Sequence, residues 1–139
     1  MVTDWPLQLE LGIRTFEIDF AGHVSNIVYV QWLEVARTAL LDRVGLPITA
    51  LLDDGVAPIV SRTEIEYRSP LVLGEPVRVS LGITKLRALS AFLAFEVASG
   101  DRVAATARQL GLFVSTRNGR PRRLPADVRD RFLPYVIES

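Results

Sequence analysis

The chain has 139 residues, with 16 Lys and Arg balanced by 16 Asp and Glu, 49% apolar residues, one histidine and no cysteine. That length suits one domain, spanning residues 1–139, with a core of its own, and the apolar fraction excludes a disordered chain. The missing cysteine excludes disulfides, zinc–thiolate centres and thiol nucleophiles, while the balanced charge argues against a nucleic-acid partner. No basic-then-apolar segment opens the chain. The uncharged run from Phe20 to Leu33 is too short for a membrane span and holds His23, Ser25, Asn26 and Gln31. A cytoplasmic protein with no membrane partner is the expectation.

In chain order, a strand is expected over Leu7 to Phe16. The spacing then predicts a helix over Ile27 to Val44. Tyr29, Trp32, Leu33, Ala36, Leu40, Leu41 and Val44 recur at i, i+3, i+4 and i+7 and share one face. Ser25 or Asn26 offers an N-cap oxygen, and Gly45 followed by Pro47 is a stop signal. Ile27, Val28, Val30 and Val35 lie off the stripe, which predicts burial on more than one side.

After residue 55 the period changes from 3.6 to 2. Over Pro58 to Arg68, Ile59, Ile65 and Tyr67 point one way and Arg62, Glu64, Glu66 and Arg68 the other. Val77, Val79, Leu81 and Ile83 alternate with small or polar residues, as do Ala91, Leu93, Phe95 and Val97 with theirs. Ser99-Gly100-Asp101 reads as a hairpin connection into Val103 to Ser115. A short helix is expected after Pro125, running to Tyr135. Four sequential strands favour an antiparallel sheet, and one long helix covers only one of its faces. The class is α+β with the sheet wrapped around the helix, and the uncovered face predicts an oligomer.

The chemistry concentrates in Glu17-Ile18-Asp19-Phe20-Ala21-Gly22-His23-Val24-Ser25-Asn26, between the first strand and the helix. The first turn of a helix presents unpaired N–H groups and a positive dipole end, which stabilise a developing oxyanion. Asp19 is placed to act on a carbonyl carbon bound there, as nucleophile or as base for a water. The same residue types also serve as ordinary turn and cap residues, and spacing does not separate the two readings.

The run from Asp19 to Arg37, D-F-A-G-H-V-S-N-I-V-Y-V-Q-W-L-E-V-A-R, resembles the segment D-x-x-G-H-V-N-N-x-x-Y-x-x-x-x-E-x-A-R. That pattern is characteristic of hotdog-fold acyl-CoA thioesterases of the 4-hydroxybenzoyl-CoA thioesterase type. Glu64-Ile65-Glu66-Tyr67-Arg68-Ser69-Pro70-Leu71, Gly74-Glu75 and Gly119-Arg120-Pro121-Arg122-Arg123-Leu124-Pro125 extend the resemblance along the chain. It implies a hotdog fold: a long central helix wrapped by a curved antiparallel sheet of about five strands. It also implies a homodimer or a dimer-of-dimers tetramer, with the acyl-CoA site at the dimer interface. By position, Asp19 corresponds to the catalytic carboxylate and the backbone N–H of Asn26 to the donor that polarises the thioester carbonyl. Glu17 and Ser25 depart from the family's usual residues. CoA is part of the substrate, and no cofactor is implied.

His23 reads either as a proton carrier or positioner of Asp19, or as a loop histidine bonded to backbone. Gly22, Ser25, Tyr29 and Arg87 are candidate substrate contacts, Arg87 for a CoA phosphate. The basic stretch from Arg117 to Arg131 offers further phosphate ligands or simply a solvated tail. Glu34 and Arg37 are spaced for a local ion pair, and Glu64 and Glu66 for a charge ladder with Arg62 and Arg68. No G-x-S-x-G, G-x-G-x-x-G or G-K-[ST] occurs, and one histidine without cysteine makes a metal site unexpected. Alternatives on the same fold are an acyl-thioester hydratase or dehydratase and a non-catalytic acyl-CoA-binding module.

Overall fold

The computed structural model describes residues 4–137. Its spine is helix α1, Asn26–Arg43, one residue ahead of the span expected from periodicity. Val28, Tyr29, Trp32, Leu33, Ala36, Leu40 and Leu41 are buried along it. Ser25 occupies the N-cap position with extended backbone, but its side chain makes no cap bond. The expected cap oxygen is therefore absent, and the helix start keeps its amides open. At the other end Gly45 adopts a left-handed φ of 75°, a conformation costly for residues with a Cβ. There the Leu46 N–H donates to the Leu41 carbonyl at 2.8 Å. Arg131 donates to the Val44 carbonyl at 3.2 Å, placing a cation on the negative end of the helix dipole.

The strands are β1 (Leu7–Leu11), β2 (Val56–Tyr67), β3 (Val77–Leu86), β4 (Ser90–Ser99) and β5 (Arg102–Ser115). They form one antiparallel sheet in the order β1-β3-β4-β5-β2. Two short helices, α2 (Ile48–Asp53) and α3 (Ala126–Arg129), complete the elements, with 3-10 turns at Thr15–Glu17 and Asp130–Tyr135. The sheet turns Leu7, Val77, Val79, Leu81, Ile83, Leu93, Phe95 and Val97 into one core with the buried side of α1. The helix approaches β3 and β1 most closely.

Four expectations are corrected. The first strand ends at Leu11 rather than Phe16, because the chain turns through Thr15–Glu17. There the buried Glu17 carboxylate accepts the Arg14 N–H at 2.7 Å. Helix α2 is an addition, since its six residues carry no periodic signal long enough to mark it. In β2 the register shifts between Val60 and Arg62. A β-bulge at Ser61 therefore puts Ile59 on the face opposite Ile65 and Tyr67. Finally, α1 is covered on one side only in this chain: Ile27 is 70% exposed, Val30 43% and Val35 44%. Their burial is not supplied by any described part of the same chain.

The edge strands β1 and β2 differ in length, 5 residues against 12, and neither has a strand on its outer side among the described residues. Beyond β1, the tail bridges to Ile83 at Val136, and the Ile137 N–H donates to the Ile83 carbonyl at 2.8 Å. Gly82 makes room for it, since a Cβ there would lie 2.6 Å from Ile137 Cδ1. The opposite edge, the 12-residue β2, has no strand on its outer side among the described residues. Its outer face carries Arg62–Glu64 and Arg68–Glu66 pairs. These are exposed and contribute little to stability. The core supplies that: truncation of the fully buried Leu81 to Ala is expected to lower the unfolding free energy by about 2–5 kcal/mol, read from urea denaturation.

Candidate functional site

The loop between β1 and α1 is built by backbone bonds. An antiparallel bridge joins Ile18 to Val24. Inside it the Asp19 N–H donates to the His23 carbonyl at 2.8 Å, and the Gly22 N–H to the Asp19 carbonyl at 3.0 Å. Closing so tight a turn requires the left-handed φ of 82° at Gly22. Two more bonds fasten the loop: the Val24 N–H to the Leu71 carbonyl and the Ser25 N–H to the Glu17 carbonyl, both at 2.9 Å. Leu71 is completely buried, so the loop is anchored to the core while its tip faces solvent.

Asp19 is half-buried in this turn. Its Oδ1 accepts the N–H of Ala21 at 2.9 Å and of His23 at 3.3 Å. One oxygen thus serves as an ordinary turn acceptor, and Oδ2 takes no hydrogen bond among the described residues. The carboxylate is oriented by one oxygen and available through the other. His23 meets Asp19 through its backbone N–H and carbonyl alone; its side chain is exposed. Immediately downstream, the Val28 N–H turns back to the Ser25 carbonyl at 3.0 Å. The N–H groups of Asn26 and Ile27 find no acceptor among the described residues, as geometry dictates for a helix start. Phe16, Phe20 and Ile27 stand exposed around this loop, leaving the site open to solvent in a single chain.

Tyr29 lies beneath the helix start, 3% exposed. It packs edge-on against Tyr67 at 5.2 Å and tilted against Trp32 at 5.4 Å. The structure thus places Tyr29 in the core. Tyr67, noted in the sequence for its place in an alternating strand and in the Glu64–Leu71 segment of the resemblance, donates its hydroxyl to the Asn26 carbonyl at 3.0 Å. A tyrosine at the end of a strand carries no local signal of a contact 41 residues away. Burial raises the phenols of Tyr29 and Tyr67 above their ordinary range.

Near Tyr29, Glu75 accepts the Arg102 guanidinium and the Val72 N–H. The bond from Arg102, and next that from Val72, hold its carboxyl below the usual carboxylate range. Glu34 and Arg37 make only a loose pair at 3.9 Å. Arg37 instead donates to the buried Gln109 at 2.8 Å, and Gln109 to Thr63 at 3.1 Å, tying α1 to β5 and β2.

Arg87 is not beside Asp19. The Asp19 loop lies at the Val77 end of β3 and Arg87 just past its Leu86 end, separated by roughly 30 Å of strand. At that far end a cavity of about 130 Å³ opens between the second half of α1, the start of β2 and the β3–β4 turn. Leu40, Leu41, Leu86, Leu93, Phe113 and Phe132 line it, and Arg37, Arg87, Arg122 and Arg129 also border it.

Residues 13–132 match the model of the thioesterase-like superfamily. The chain belongs to that superfamily. Among relatives, this thioesterase-like protein is 26% identical over 129 residues to the acyl-CoA thioester hydrolase YbgC of Escherichia coli O157:H7. That match covers 92% of this chain and 93% of YbgC. It is 24% identical over 135 residues to the chloroplastic acyl-acyl carrier protein thioesterase ATL3 of Arabidopsis thaliana, covering 95% of this chain and 70% of ATL3. Among solved structures it resembles a thioesterase from Thermus thermophilus complexed with coenzyme A and Zn. That pair has a TM-score of 0.80, 26% identity and 94% of each chain covered. The hotdog architecture implied by the Asp19–Arg37 motif is thus the fold of this protein.

The Glu75–Arg102 pair has a defined pH signature. A carboxyl whose folded-state pKa is depressed contributes stability above its unfolded pKa and loses it as pH falls through the folded value. Glu75→Gln is expected to lower Tm at pH 7, and the gap from wild type to close as pH drops below about 4, measured by thermal melts across that range.

Proposed function

We propose that this protein is a thioester hydrolase that cleaves acyl-CoA to a free carboxylic acid and CoA at the Asp19 loop. The observation that carries the reading is the pairing of Asp19, oriented through Oδ1 with Oδ2 free, with a helix start whose Asn26 N–H has no acceptor among the described residues. Membership of the thioesterase-like superfamily supports it. The thioester carbonyl oxygen accepts the Asn26 amide, aided by the positive end of α1. Asp19 then either attacks the carbonyl carbon or takes a proton from the water that does. Either route adds one water, breaks the C–S bond and releases CoA as the leaving thiol. Gly22 lets the loop turn sharply enough to present the carboxylate, and Ser25 sets the extended entry to the helix.

A second copy of the chain completes the site in this reading. The free β2 edge and the exposed Ile27, Val30 and Val35 on α1 offer an uncovered surface. An isologous antiparallel pairing of β2 with itself reverses one strand against the other. The Tyr67 and Asp19 end of one copy then meets the Pro58–Val60 end of its partner, which carries the apolar cavity and Arg87. The acyl group enters that cavity, and the arginines at its border face the anionic substrate. A homodimer is the minimal unit, and a dimer of dimers is compatible with it.

Asp19→Asn retains the Oδ1 acceptor and hence the turn, so it is expected to fold normally. Hydrolysis of the best substrate in an acyl-CoA panel, followed by free-thiol release, should fall about 10²-fold or more. An unchanged rate overturns the assignment, and hydration of enoyl-CoA in place of hydrolysis would favour a hydratase. Sedimentation equilibrium is expected to give at least twice the 15.4 kDa chain mass; a monomer that remains fully active excludes the shared site.

A further inference from the structure

We infer that Tyr67 is a positioning residue for the oxyanion site: its hydroxyl, bonded to the Asn26 carbonyl, holds and polarises the first peptide of α1. The inference rests on the thioesterase reading above and adds a residue to it. Tyr67 ends β2, on the sheet face that looks toward the helix, opposite Ala105. Its hydroxyl donates to the Asn26 carbonyl oxygen at 3.0 Å. In a helix that oxygen also accepts the amide four residues on, and two lone pairs accommodate both donors.

The Asn26 carbonyl and the Ile27 N–H belong to one peptide plane. A donor on the oxygen draws density from the nitrogen and makes the Ile27 N–H a better donor, by about 10–30% per bond in a chain of hydrogen bonds. That amide is the second open one of the helix start, beside the Asn26 N–H, which belongs to the preceding peptide. The same bond fixes where the Asn26 residue sits, and therefore where its own N–H points. The remaining anchors of this region, Val24 to Leu71 and Ser25 to Glu17, act on the loop upstream. Tyr67 is the side chain that reaches the first helical residue itself from the sheet.

The phenol is held for that task. Its ring stands at 87° to Tyr29, which is buried and packed on Trp32. A phenol is protonated at neutral pH, and desolvation raises both of these further, so Tyr67 is a donor and not a base. A role in packing alone would need the ring and not the hydroxyl, which makes the two roles separable.

Tyr67→Phe retains the ring and removes the hydroxyl. For the substrate that wild type hydrolyses best, kcat is expected to fall about tenfold, a change in barrier near ~1.4 kcal/mol. KM should stay within about twofold and Tm within about 3 °C. In an NMR amide spectrum the Ile27 proton should move upfield as its peptide loses the donor. An unchanged kcat, a loss confined to KM or Tm, or an unmoved Ile27 amide overturns the inference. If wild type hydrolyses no acyl-CoA in the panel, the thioesterase reading fails and this inference with it. If wild type is active and Tyr67→Phe equals it, only this inference fails.

Discussion

The packing of α1 against the concave face of the sheet is the constraint on which the rest of this molecule depends. A single helix must bury Tyr29, Trp32, Leu33, Ala36 and Leu40 against strands that supply Val79, Leu81, Ile83 and Phe95. Apolar burial of this extent, worth roughly 25 cal/mol per Å², sets the height and direction of the helix above β1 and β3. Its first turn is then delivered to one end of the sheet with the amides of Asn26 and Ile27 unpaired among the described residues. The unpaired amides are a consequence of any helix start; their location is a consequence of the packing. A capping side chain would have taken the Ile27 amide, and Ser25 does not provide one.

The loop before the helix inherits that geometry. Its bridge from Ile18 to Val24, its bond to the buried Leu71 and its bond to Glu17 make it a rigid extension of the core. Asp19 is thereby fixed through one oxygen at modest cost, because its partners are backbone amides already present in the turn. Glu17, one of the two departures from the family's usual residues, has a structural task, closing the Thr15–Glu17 turn through the Arg14 amide. The Arg37–Gln109–Thr63 chain has a similar character. It satisfies polar groups beneath the helix, where an unpaired guanidinium or amide would be expensive.

The chain's own tail extends the β1 side of the sheet alongside Gly82 and Ile83, and of the two edge strands β2 is much the longer and runs unpaired on its outer side among the described residues. Long free edges invite strand pairing, and here the uncovered side of α1 flanks the free edge with apolar residues. The wide apolar surface of the helix, which suggested burial on two sides, has one side satisfied within the chain and the other available to a second copy. The dimer proposed above bears on Arg87. It is remote from Asp19 within one chain, yet it lies at the end of the sheet that antiparallel pairing would carry to the partner's loop.

The amino-acid sequence by itself determined what local physics controls. The 3.6-residue period located α1 to within a residue, and Gly45 marked its end. The period of 2 found β2 to β5, and the Asp19–Arg37 motif pointed to the thioesterase-like superfamily and its hotdog fold. Turn chemistry around Asp19 and Gly22 was legible because it spans only a few residues. Tertiary structure alone decided the rest. The bulge at Ser61 exists only relative to β5 and turns Ile59 outward. The bond from Tyr67 to Asn26 spans 41 residues, and that from Arg37 to Gln109 spans 72. Tyr29, near the helix start, is buried because the sheet lies beneath it. The physical reason is common to all of them: periodicity reports which face of an element is apolar, but which distant group meets that face depends on how the elements pack.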